Sequence, residues 1–309
     1  MIIGIDVLGC SRPRQRAALA TVASTVWAVR NRTQIGLSPP LSTSWAFSVP
    51  LLLAAGFTRS RTRDALVWAA QMWAYKNAFE IPNDDAERHK RRARVDYPIT
   101  VDARLGGGTP PSQRLQASLR RRGHITSLDK ALSLLYWTWE AEPHIAMGWI
   151  RWKRPESFAA AAGRLAATFD ATLLGYWLVP TAPPWWASEK GGRMNGDVHR
   201  VMSEVARWLK REPDPTEGDH ELGANPFGAM PSDHFASAAM TAMLLTEEDR
   251  VLGALAWGYA LLLAFALVYL GEHYVGDLLA GLTLALIVNH TRRPLEALAE
   301  RVLSLGPGQ

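Results

Sequence analysis

One cysteine, Cys10, in 309 residues excludes an intrachain disulfide and any metal centre built on paired thiolates. A secretory leader is not expected either. Met1 to Leu8 is mildly apolar, has no basic lead-in and is followed by Arg12, Arg14 and Arg16, so membrane insertion is expected to rest on internal helices. The net charge is +5, yet no aromatic-basic recognition motif accompanies it, so nucleic acid is not expected as a partner. There is no internal repeat. Charge is absent altogether from residues 251–271, a run long enough to cross a bilayer.

What is present is segregated. Hydrophobic residues make up 48% and charged residues 20%, both near the globular norm, but the charges crowd into a few loops. The 13 tryptophans suit a membrane–water interface, where an apolar ring needs a polar partner for its N–H. Apolar segments at 64–80, 129–150, 156–179, 231–246, 251–271 and 273–290 predict an all-α membrane bundle of six transmembrane helices. Residues 1–42 read as a cytoplasmic or interfacial arm, with a basic helix over 11–30 lying on the membrane surface. Residues 43–127 read as an interfacial piece at 45–57, too short to span, then the first span and a polar loop with one short helix. Residues 128–290 form the membrane core and 291–309 a cytoplasmic tail. Arginine and lysine at 59–63, 151–154 and 292–293 fall on one side of six crossings, and the positive-inside rule makes that side cytoplasmic. The loops at 81–127 and 180–230 then face outward, although the first of these is itself basic.

Two stretches carry chemistry. In His273-Tyr274-Val275-Gly276-Asp277 the histidine and aspartate are four apart, on one face of a helix. The carboxylate can accept one ring N–H of His273, fix its tautomer and leave the other nitrogen as a nucleophile. In Pro231-Ser232-Asp233-His234 the proline suits a helix start, where free backbone N–H groups attract anions. Ser232 adds a hydroxyl donor, and His234 can protonate a leaving alkoxide. Taken singly, each stretch also reads as an ordinary capped helix start. Together they sit about forty residues apart, across two helices joined by a short cytoplasmic turn, so their ends meet at one membrane face. A zinc site from His220, His234 and His273 is the lesser reading, because Asp277 is better used on His273.

This pairing resembles the type 2 phosphatidic acid phosphatase superfamily, whose second motif is Pro-Ser-x-His and whose third ends in His-x-x-x-Asp. The likeness extends to Asn225-Pro226-Phe227-Gly228-Ala229-Met230, to Val268-Tyr269-Leu270-Gly271-Glu272 and to Gly281. It implies a phosphatase or phosphotransferase that needs no metal or cofactor, with His273 as nucleophile, Asp277 orienting it and His234 as acid. Two departures stand out. Leu267 occupies the place of the third motif's arginine, and the Lys-(six residues)-Arg-Pro first motif is absent. With Tyr176-Trp177-Leu178-Val179-Pro180-Thr181-Ala182-Pro183-Pro184, these departures resemble the branch of inositol phosphorylceramide synthases, which transfer or hydrolyse lipid-linked phosphate. Another cation must then meet the phosphate. Lys190 and Arg193, just past Pro183-Pro184, are the expected substitutes, with Arg200 and Lys76 behind them. Ser232 is expected to bind phosphate. The expected partner is a phosphorylated lipid in the cell membrane, with a polyol or sugar hydroxyl as possible acceptor near Glu140, Glu142, His144 and Asp170. The other reading is a non-catalytic lipid-binding or transport protein on the same scaffold.

Overall fold

A computed structural model describes residues 13–121, 123–211 and 225–307. Cys10 and the first twelve residues of the expected arm lie outside the described residues, as does His220. Among those described, the protein is all-α, with isolated bridge pairs and no strand.

The chain enters as an antiparallel hairpin, α1 (Pro13–Arg30) and α2 (Pro39–Gly56), followed by α3 (Arg61–Glu80). Pro39 and Pro40 occupy the first turn of α2, where a missing N–H costs nothing; they start a helix here as well as separating it from α1. The expected surface arm is therefore packed. Arg14 at the start of α1 donates to Ala55 O at the end of α2, 2.9 Å, and Ala18 meets Gly56. The piece expected at 45–57 is the last two-thirds of an 18-residue helix, about 27 Å long at 1.5 Å per residue. A serine N-cap, Ser60, accepts from Arg63 N and opens α3.

The expected span at 129–150 is two helices, α7 (Ser127–Thr138) and α8 (Glu142–Lys153). Thr126 and Asp129 form a capping box that starts α7. Pro143 accounts for the break, because proline removes a backbone donor and disfavours helix just before it. The remaining long helices are α9 (Phe158–Leu178), α12 (Asp233–Glu248), α13 (Arg250–Tyr269) and α14 (Val275–His290). Among the described residues α13 is the one helix both long and apolar enough to cross a membrane, and α14 is a shorter apolar helix. The other expected spans carry charge inside them, Asp64 and Lys76 in α3 and Arg164 and Asp170 in α9, which lowers their hydropathy. Apolar side chains nevertheless face outward: Val251, Leu255, Leu261 and Ile287 are exposed at 69, 65, 62 and 55%.

The helices run between two faces. At one, α15 (Arg292–Leu303) closes the bundle against α9 and α2. Arg63 donates there to Leu303 O and Ala54 O, 2.6 and 2.5 Å, and Arg151 pairs with Asp64 at 3.0 Å. Over the other face lie five short helices, α4 (Ala86–Arg92), α5 (Asp96–Leu105), α6 (Pro111–Leu119), α10 (Pro184–Glu189) and α11 (Val201–Lys210). The loop at 81–127 thus holds three helices where one was expected. Two glycines let α12 begin deep between its neighbours. A Cβ on Gly175 of α9 would strike Pro231, and one on Gly281 of α14 would strike the Ser232 carbonyl. The Pro231-Ser232 start is wedged at that double crossing.

Candidate active site

The turn after α13 and the start of α12 bring two histidines together. His273 Nε2 lies 3.1 Å from His234 Nδ1. His273 Nδ1 lies 3.0 Å from the Ala229 carbonyl and 3.5 Å from Asp277 Oδ2. A carbonyl only accepts, so Nδ1 carries the hydrogen and Nε2 keeps its lone pair. Asp277 is fully buried. Its Oδ2 accepts from Tyr274 N at 2.8 Å, reaching back over the head of α14. The carboxylate is therefore held by the backbone, and the nearest acceptor for the His273 N–H is Ala229 O. That carbonyl is itself fixed: Ala229 N donates to Thr181 O, Thr181 N to Phe227 O, and Ala182 N to Arg94 O. Sequence reasoning missed the Ala229 carbonyl because three separate segments place it.

His234 is held by rings. Trp139 lies 4.1 Å and Tyr136 5.1 Å from it, centroid to centroid. Trp139 anchors itself by donating to Ser237 Oγ, 2.8 Å, one turn further along α12. Both rings come from the end of α7, which stops here because of the Pro143 break. The neighbouring Asp233 is buried and accepts from Tyr75 OH at 2.5 Å.

Both histidines line a cavity of about 520 Å³. Two cations share its wall, Arg200 and Lys76. Arg200 spans to Glu272 with Nε–Oε1 2.8 Å and Nη2–Oε2 3.2 Å, and its guanidinium lies 4.5 Å from the centre of the Trp185 ring. Burial works against the Arg200 charge, but the Glu272 carboxylate outweighs it, so its pKa is raised. Trp185 is also in the wall, and its Nε1 is buried without a hydrogen-bond partner.

Lys190 and Arg193 are elsewhere. Both are exposed and neither lines the cavity; Arg193 pairs with Asp96 at 2.7 Å on the surface. The segment after Pro183-Pro184 folds into α10 and points these two away, while the start of α11 brings Arg200 inward. Ser232 is placed as the N-cap of α12. Its Oγ accepts from Phe235 N at 3.3 Å and its own N donates to Asp277 O at 2.9 Å. The residue is fully buried and outside the cavity wall. Glu140 and His144 line the cavity, whereas Glu142 and Asp170 lie behind it. Among the described residues no three histidine, cysteine, aspartate or glutamate side chains are grouped as a metal would need.

One further carboxylate supports the site from outside. Asp102 of α5 is fully buried and accepts from Gly276 N, 3.2 Å, in the first turn of α14. Burial pushes its pKa up to about 6.

The site thus joins a buried His273 to a partly buried His234 at two helix starts, with Arg200 in the same cavity wall. The sequence profile of the PAP2 superfamily matches residues 101–290, and the chain belongs to that superfamily, whose members are generally phosphatases. No curated protein and no solved structure matches the chain significantly.

Proposed function

We propose that the protein is an integral membrane phosphatase or phosphotransferase acting on a lipid-linked phosphate through a phosphohistidine on His273. The observation that carries this is the His273–His234 pair, with the lone pair of His273 Nε2 turned to His234. Substrate phosphorus takes the place of the His234 N–H in front of Nε2. The N–P bond forms, the P–O bond to the leaving alcohol breaks, and His234, entering the step as the imidazolium, gives that oxygen a proton and is left neutral. Water or a second hydroxyl then loses its proton to His234 and attacks phosphorus, the N–P bond breaks, and His273 is restored.

Negative charge spreads over the equatorial oxygens in this step, and positive groups set in advance stabilise it most. Arg200 is the cation we assign to that task, in place of the arginine that Leu267 replaces. With one edge of its guanidinium on Glu272, it is held in position and keeps N–H groups for phosphate. The unpartnered Trp185 Nε1 is a further donor. Ser232 contributes by fixing the start of α12. This reading needs no metal and no cofactor.

The bundle is read as spanning the membrane with the histidine end outward. Outward-facing Val251, Leu255, Leu261 and Ile287 favour lipid contact. The arginines near 59–63, 151–154 and 292–293 gather at the α15 end, which suits the cytoplasm. The α1–α2 hairpin returns the chain to the end from which α1 starts and leaves the orientation unchanged. The test is phosphate release from a short-chain lipid phosphate by the purified full-length protein. Turnover by wild type, none by His273→Ala, and an acid-labile phosphoenzyme absent from that variant are the expected results. Turnover by His273→Ala at the wild-type rate would overturn the reading.

A further inference from the structure

The cavity has two chemically opposite ends. At the His273 end the buried polar atom without a partner is a donor, Trp185 Nε1. Past His234, toward α3 and α9, it is an acceptor, Asp233 Oδ1. Asp233 is 5% exposed and lines the cavity. Its other oxygen is taken by Tyr75. Glu140 is in the same wall, and Glu140 and Asp170 lie close enough to act on the Asp233 charge. Asp170 Oδ1 is likewise buried and unpartnered. Glu272 is matched by Arg200, so Asp233 and Glu140 face one remaining wall cation, Lys76, which is exposed to solvent.

The rest of this end is aromatic. Tyr75, Phe79, Trp139, Phe169 and Tyr176 line it, with Tyr75 5.0 Å from Phe169 and Phe79 5.3 Å from Tyr176. The polar hydrogens of these rings are spent: Tyr75 on Asp233, Tyr176 on Pro231 O, and Trp139 on Ser237. A polyol hydroxyl both donates and accepts, and beside Asp233 the nearest ring donors are spent. An ammonium group has no acceptor to satisfy, and it is drawn to ring faces and carboxylates together.

Resting on the phosphate reading above, we infer that the substrate's phosphate is joined to an organic ammonium group. The phosphate lies against His273, Arg200 and Trp185, and the ammonium lies among Asp233, Glu140 and the rings. On this reading an ammonium group, in place of the sugar or polyol hydroxyl expected from the sequence, occupies this end.

The test is binding to the full-length His273→Ala protein in detergent, where no turnover intervenes, by equilibrium dialysis. The probes are phosphocholine, phosphoethanolamine, their uncharged isostere 3,3-dimethylbutyl phosphate, glycerol phosphate and choline itself. The ammonium esters are expected to bind about tenfold or more tightly than the isostere. Asp233→Asn and Glu140→Gln should each shrink that advantage without weakening the isostere. Preference for phosphoethanolamine would assign recognition to Asp233 Oδ1, and preference for phosphocholine to the rings. Equal affinity for the charged and uncharged esters, or tighter binding of glycerol phosphate, would overturn the inference. Should choline bind and no ester bind, the ammonium site stands and the phosphate reading falls. Should nothing bind, both fall.

Discussion

At the α15 end of the bundle Arg164 is 2% exposed and grips Glu247 with two bonds, 2.6 and 2.9 Å, with Asn289 as a third partner. Arg292 also approaches Glu247, and Arg59 reaches Glu300 at 2.6 Å. Buried charge there meets opposite charge supplied by the protein. At the histidine end Asp233 and Trp185 hold buried polar atoms with no protein partner, beside two histidines and a cavity. Stranding such atoms costs roughly 1–3 kcal/mol each. The α15 end strands some as well, Arg63 Nε and Arg164 Nε among them, but there each guanidinium keeps other partners, whereas Asp233 and Trp185 line a cavity that a ligand can enter. The first end is built for stability and the second for binding.

Mutations should therefore separate activity from stability according to the end they touch. The largest effect is expected from His273→Ala, which should lower kcat by roughly 10³-fold or more, as loss of a nucleophile does, while the thermal midpoint in detergent stays near wild type. A variant that unfolds with its activity would place His273 with the structural end.

Arg200→Ala comes next. Loss of one preorganised charge costs about 10²-fold in kcat, and the fall should appear in kcat more than in KM. Arg200→Lys should recover only part of it, because a lysine cannot keep two bonds to Glu272 and still face the phosphate. Lys190→Ala with Arg193→Ala should leave kcat unchanged. If the double variant loses as much as Arg200→Ala, the loop after Pro183-Pro184 folds over the site after all.

Much of this site was legible because the chemistry depends on local spacing. His273 and Asp277 share a helix turn, and His234 follows a proline start, so each pair reads from a few adjacent residues. What failed to read was set by distance. Arg200, not Lys190 or Arg193, lines the cavity because residues 184–189 coil into α10, and nothing in the basic residues themselves distinguishes the three. The break between α7 and α8 was available in Pro143, but the apolar run on both sides concealed it. The capping role of Ser232 fits its position before Asp233. Its exclusion from the cavity follows from Gly175 and Gly281, which let two other helices press on it. The α1–α2 pairing came from packing between helices whose own sequences carry little amphipathic pattern.

At the α15 end the expected change is in stability. Glu247→Ala leaves the buried Arg164 guanidinium with Asn289 and a more distant Glu296, and because Glu247 is half exposed the cost is about 1–2 kcal/mol, below that of a fully buried pair. Arg164→Met should cost less, because it leaves the half-exposed Glu247 free to take water. Chemical denaturation in detergent, with kcat measured alongside, checks both. An activity loss without destabilisation would show that this end communicates with the histidines.

The most gradual effect is a pH dependence, and it tests whether the shell around the histidine end is tuned for charge or only for shape. Asp102 caps α14 through Gly276 N, one residue from Asp277. Burial raises its folded pKa to about 6, against about 3.9 when unfolded. The folded state then binds the proton more tightly, so stability falls as pH rises from about 4 to 6 and is level above that. A shift of that size corresponds to a loss on the order of 3 kcal/mol. Asp102→Asn keeps an oxygen acceptor for Gly276 N and removes the titration, so the variant should lose this slope and be the more stable protein at pH 7. Thermal midpoints of the two proteins at pH 4, 5, 6 and 7 decide it. Parallel curves would mean that Asp102 keeps its charge in the folded protein, and that the cap on α14 is stronger than its burial.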